Sequence, residues 1–197
     1  MVNVKSAVGS VMDSIVYAVS DGYCGDYYLV DIGDFETAKS LLPQGANVRG
    51  VFITHGHHDH IMGLNKLKAV YPECAVFASE ACIPMLYSAK ANLSAYMNMP
   101  FVYEGEAQVL KDGDSVVLFD GVSLTAISAP GHHPSCMCFL MNDYLFTGDA
   151  YIPGVKVVTN LPGGKKMIAA ETVKKIQALG EGRTICPGHI VKAAGML

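Results

Sequence analysis

All seven histidines of this 197-residue chain fall in three short segments: THGHHDH at 54–60, APGHHP at 129–134 and CPGH at 186–189. Histidines kept for packing or solubility would be scattered. Each segment instead follows a β-like run: GVFIT precedes the first, VSLTAIS the second and RTI the third. A fourth segment, FTGDA, sets Asp149 behind YLFT. Four times a strand ends in a Gly- or Pro-marked loop bearing a metal-type donor. If those strands share a sheet edge the four loops converge, and loops held by a rigid scaffold are where sites are usually built.

The rest of the chain supplies the strands. Ser14–Val19 and Asp26–Asp31 carry Val, Ile and Tyr and end at turn signals. Val48–Thr54 is nearly all apolar, as for a strand covered on both faces. Further strands are expected at Ala75–Ala78, Ser115–Phe119, Val122–Ser128 and Arg183–Cys186, with a hairpin of Met137–Met141 and Tyr144–Thr147. Helices are expected at Phe35–Leu42, around Leu64–Tyr71, at Glu80–Tyr87 and at Met167–Leu179. In the last, Ile168, Thr172, Ile176 and Leu179 share a face, and Gly180 follows as a C-cap. Asn92–Phe101 reads either as an apolar lip or as core. Interleaved strands and helices give a mixed α+β class with sheets covered by helices. No linker or repeat divides the chain, so residues 1–197 are expected to form one domain.

Composition narrows the partners. Charged residues are 16% and the net charge is −4, which gives no basic footprint for nucleic acid and no polybasic membrane patch. No apolar run approaches the roughly 20 residues of a membrane span, and the N-terminus reads as a strand start rather than a signal peptide. The six cysteines lack C-x-x-C spacing and are expected to be reduced thiols in a cytoplasmic protein. A small molecule is the expected partner, and the oligomeric state is left open.

Seven nitrogen and oxygen donors are available: His55, His57, Asp59, His60, His132, Asp149 and His189. His55 and His57 are two residues apart and project to one side of an extended chain. Asp59 and His60, across a tight turn, can face a second centre. One four- or five-coordinate ion cannot use seven donors. Two ions about 3.5–4 Å apart can, if one carboxylate bridges them. Zinc is the first expectation, with iron or manganese also suited to this donor set. A closed structural zinc site would be rich in Cys, and this set has none.

On these motifs the chain resembles the metallo-β-lactamase superfamily. H-x-H-x-D-H stands as His55-Gly-His57-His-Asp59-His60. Pro130-Gly131-His132, Thr147-Gly148-Asp149 and Pro187-Gly188-His189 follow in the family's order, and Asp31 in LVDIGD resembles its first motif. The resemblance implies a four-layer αββα sandwich with the metal site at one edge of the two sheets. It implies one ion on His55, His57 and His132, a second on Asp59, His60 and His189, and Asp149 between them. Three departures touch the pocket wall rather than the donors. His133 replaces a common Thr, Ser135-Cys136 a frequent Gly-Ser, and Ile190 a common Gly. Asp59 and His133 are the side chains assigned to catalysis.

The expected reaction is hydrolysis of a small thioester or ester by a metal-bridging hydroxide, since two divalent ions lower the pKa of a shared water toward about 7. A thiolate leaves without a protein acid, and none is obvious. That favours the glyoxalase II-like (hydroxyacylglutathione hydrolase-like) branch. Only eight residues follow His189, so that branch's C-terminal helical domain is not expected. The alternatives are a lactonase or β-lactamase-type hydrolase, or an iron-dependent oxidoreductase on the same fold.

Overall fold

The computed structural model describes residues 2–190. The tail beyond Ile190, on which the expectation of no added helical domain rests, lies outside the described residues. Eleven strands are present among the described residues: β1 (Asn3–Val8), β2 (Ile15–Ser20), β3 (Asp26–Val30), β4 (Asn47–Phe52), β5 (Ala75–Ser79), β6 (Gln108–Leu110), β7 (Ser115–Phe119), β8 (Val122–Ser128), β9 (Met137–Met141), β10 (Tyr144–Gly148) and β11 (Thr184–Pro187). They form two sheets, ordered β1-β2-β3-β4-β5-β6 and β11-β10-β9-β8-β7. The helices are α1 (Phe35–Ser40), α2 (His58–Ile61), α3 (Leu64–Val70), α4 (Ile83–Leu86) and α5 (Lys166–Leu179).

Side-chain alternation along the strands builds three apolar clusters, and these define four layers. On β2, Val16 and Ala18 join one cluster with Leu64 and Leu67 of α3 and Phe35 of α1. Ile15, Tyr17 and Val19 point the other way and meet Phe139 and Phe146 of the second sheet. On β9, Cys138 faces outward with Leu145 toward Ile176 of α5. The layers are thus α1, α3 and α4; the first sheet; the second sheet; and α5, the αββα sandwich that the resemblance implied. Val51, Phe52 and Ile53 have no exposed surface, as expected for a strand covered on both faces.

Some bounds differ from the sequence reading. The strand expected over Val48–Thr54 ends at Phe52, because Ile53 and Thr54 begin the histidine loop. The helix expected over Glu80–Tyr87 shrinks to α4, because Ser79 Oγ accepts from Cys82 N–H (3.1 Å) and closes a turn first. The first expected helix does begin at Phe35, where the Asp34 side chain caps α1 by accepting from Glu36 N–H. Gly180 does end α5, but in a right-handed conformation. Space explains this glycine, since a Cβ there would lie 2.6 Å from Ile185 Cδ1.

Strand direction places the site. β8 and β10 each run antiparallel to β9, and β11 runs parallel to β10, so β8, β10 and β11 all end at the same edge. β9 starts there. Its Met137 N–H donates to Thr54 O just past β4 (2.7 Å), which ties the two sheets together beside the donors.

Candidate metal centre

Each donor sits just beyond a strand. The chain leaves β4 through Thr54 into His55, Gly56 and His57, then tightens into α2, which carries Asp59 and His60. His132 follows β8, Asp149 follows β10 and His189 follows β11. The sequence suggested strands sharing a sheet edge. The structure draws β4 from one sheet and the other three from the second. Glycines let the loops close on one another. A Cβ on Gly33 would lie 1.8 Å from Asp59 O, and one on Gly188 would lie 2.3 Å from Asp149 Oδ1. Ser14 Oγ–H donates to Asp59 O (2.6 Å) and Tyr17 O–H to Pro187 O (2.7 Å), so β2 and the residue before it brace two of the loops.

All seven donors converge. His57 Nδ1 lies 3.1 Å from His55 Nε2 and 3.0 Å from His132 Nε2. On the other side, His60 Nε2 lies 3.3 Å from His189 Nε2, and His189 Nε2 lies 3.2 Å from Asp59 Oδ2. Asp149 faces both groups, with Oδ2 3.6 Å from His132 Nε2 and Oδ1 3.6 Å and 3.4 Å from the Nε2 atoms of His60 and His189. Asp149 Oδ1 is buried and makes no hydrogen bond.

The far ring nitrogens fix which atoms face inward. The carbonyls of Val158 and Met12 can only accept, so His132 Nδ1 (2.8 Å) and His189 Nδ1 (3.1 Å) carry protons. Asp31 Oδ2 does the same for His60 Nδ1 (2.8 Å). Asp31 stands at φ +56°, a left-handed conformation that Asp tolerates, and also accepts from Thr54 N–H and Oγ–H, both at 2.7 Å. The Nε2 atoms of His60, His132 and His189 are thereby left facing the cluster, where nitrogens this close need a cation or a proton between them. Tetrahedral zinc with Zn–N of about 2.0–2.1 Å would hold its nitrogens about 3.3–3.4 Å apart. The observed spacings and the unpartnered Asp149 oxygen fit cations of that kind.

The two halves differ in charge. Burial pushes His55 well down and His57 to about 3, with the neighbouring imidazoles adding to the effect. His55 and His57 are therefore neutral rings. Burial also opposes charge on His60 and His189, but the carboxylates around them prevail and raise them to about 9 and about 10. Asp59 and Asp149, though buried, are held below the usual carboxylate range by these histidines.

A cavity of about 590 Å³ opens on the cluster and includes His58 in its lining. His58 Nδ1 is buried without a hydrogen-bond partner. Sequence reasoning gives His133 the larger part, yet His133 does not line this cavity. Its ring stands 5.5 Å from that of His57, and its Nδ1 is engaged with Ser135 Oγ (2.8 Å). A Cβ on Gly163 would lie 2.7 Å from His133 Cδ2, so the ring supports the 160–164 loop from beneath. Asn92–Phe101 proves to be both lip and core: Leu93, Tyr96 and Met97 line the cavity, while Asn92 and Phe101 are buried. Cys136 and Cys138 pack under α5, and all six cysteines are free. No helix among the described residues is long and apolar enough to cross a membrane.

Comparison with known proteins agrees with this geometry. Among solved structures, the chain is similar to the BLEG-1 B3 metallo-β-lactamase, with a TM-score of 0.84, 20% identity, and 96% of this chain and 92% of that one covered. It is similar to TTHA1623 in a di-iron-bound form, with a TM-score of 0.79, 20% identity and 95% and 92% covered. It is also similar to ETHE1 from Myxococcus xanthus, with a TM-score of 0.74, 21% identity and 97% and 77% covered. At these identities the likeness speaks for the fold. The family model described as the metallo-β-lactamase superfamily matches residues 14–189, a span that contains all seven converging donors, and the chain belongs to that superfamily.

Proposed function

We propose that the protein is a dinuclear metal-dependent hydrolase acting on a small thioester or ester. The observation that carries this reading is Asp149, whose two oxygens face separate donor groups. His55, His57 and His132 would hold one ion; Asp59, His60 and His189 would hold the other; Asp149 would reach both. Zinc is the metal we favour. Two such ions supply a water of lowered pKa as nucleophile and a Lewis acid for the carbonyl oxygen.

The chain's own residues hold the geometry. Asp31, Val158 O and Met12 O keep His60, His132 and His189 in the tautomers that point Nε2 inward. Asp59 and Asp149, ionised, offset the charge of the cations. A thiolate leaves without a proton, which suits a cluster whose carboxylates stay ionised. The six free thiols support a reducing, cytoplasmic setting.

The iron-dependent oxidoreductase reading draws support from the di-iron-bound neighbour. One experiment separates the two: elemental analysis of natively purified protein, followed by assays on thioesters, esters, lactones and β-lactams alongside oxygen uptake with persulfide substrates. Two metal equivalents and thioester or ester turnover are expected. Oxygen uptake without hydrolysis of any of these would reject the hydrolase.

A further inference from the structure

Resting on the hydrolase reading, we infer that the substrate's acyl part is an uncharged hydrocarbon chain, bound in the cavity above the metal cluster. Five of the seven donors line the floor of this cavity, and its walls are apolar: Leu93, Tyr96, Met97, Val158, Leu161 and Pro162. Among the described residues, no lysine or arginine lines it. A glutathione moiety, with two carboxylates, would meet no lysine or arginine on those walls. Neither Lys165 nor Lys166 lines this wall; Lys166 lines a different cavity, against α5.

The walls stand open to water in a way that asks for an apolar occupant. Tyr96 is 64% exposed, Met97 and Val158 are each 47% exposed, and Leu161 is 36% exposed. These side chains come from two separate loops that face one opening. A contiguous apolar surface of this kind marks a binding site. Methionine adapts to chains of varied shape. The lip is held at its root, because the Asn92 side-chain amide donates to Met85 O and Phe101 O (each 3.0 Å) and accepts from Ser94 N–H (3.0 Å). The apolar lining is finite. Past Leu93, Tyr96 and Pro162 the surface continues into a shallower basin of about 380 Å³ that contains Lys90 and Ser88. Chain-length preference therefore rises and then levels off.

The test is calorimetric titration of the zinc-loaded protein with acetate, butanoate, hexanoate, octanoate and decanoate, and with S-methylglutathione, whose blocked sulfur cannot ligate zinc as a thiolate, alongside hydrolysis of the matching acyl thioesters. Affinity is expected to tighten by up to about fourfold per added methylene while the chain is being buried, then to plateau, with S-methylglutathione binding no tighter than acetate. Flat affinities from acetate to octanoate, or S-methylglutathione binding more tightly than octanoate, would overturn the inference. Leu161→Glu changes an exposed wall residue and should flatten the dependence on chain length; an unchanged slope would also overturn it. A steep slope with no turnover of any ester, thioester or lactone keeps the apolar chamber and rejects the hydrolase reading. Flat binding with no turnover rejects both.

Discussion

Asp149 is where the metal reading is most exposed to test. Its Oδ1 is buried without a hydrogen bond and stands 3.6 Å and 3.4 Å from the Nε2 atoms of His60 and His189. Asp149→Ala should drop the metal content from two ions to one or none and reduce kcat/KM by more than the roughly 10–100-fold typical of an outer partner. Elemental analysis and steady-state kinetics measure both, and a variant with two ions and full turnover would exclude a bridging role. The raised histidines give a pH signature. His60 and His189 stand above their ordinary 6.5, at about 9 and about 10 in the metal-free chain. Their protons add stability to the metal-free fold that is complete below about pH 6.5 and is lost as pH rises through about 9 to 10. An ion needs the bare nitrogen, so its affinity moves the opposite way and strengthens with pH across that interval. Zinc uptake at pH 7 should release protons, visible as a dependence of the calorimetric heat on the buffer's ionisation enthalpy.

At the scale of elements, the strand-end loops are held by close approach rather than by long bonds. Gly188 has no need of a left-handed backbone; it is small because Asp149 Oδ1 lies 2.3 Å and His60 Cε1 lies 2.9 Å from where a Cβ would stand. Gly188→Ala should displace the Asp149 carboxylate and lower metal content while the circular dichroism spectrum keeps its native shape. Full metal content in that variant would mean that the loop yields without moving Asp149. The donors are legible in the sequence because each follows an apolar run, and a run covered on both faces has a distinctive composition. The sequence sets no bounds for β1 and β6, because β1 is mostly exposed and β6 has three residues, so neither shows clear periodicity. α2 is hidden because its four residues, HDHI, are dictated by the cluster they serve. The roles of His58 and His133 are not legible either. Each adjoins a donor, and only the packing of His133 against Ser135 and the 160–164 loop separates a strut from a cavity wall.

On the scale of the whole molecule, the two sheets meet through an aromatic centre. Phe52 is fully buried, stacked on Phe77 at 4.7 Å between ring centroids and set edge-on to Phe139 at 5.4 Å. Phe52→Ala should destabilise the metal-free protein by about 3–5 kcal/mol, measured by chemical denaturation; a loss below about 1 kcal/mol would show that the sheets repack freely. Four of the donors, His55, His57, Asp59 and His60, emerge early from the ribosome, whereas His132, Asp149 and His189 emerge only in the final third of synthesis. A nascent chain arrested before residue 130 thus owns an incomplete cradle on either side. A cation held by every donor of either group can therefore be in place only after both parts of the chain have been made and docked.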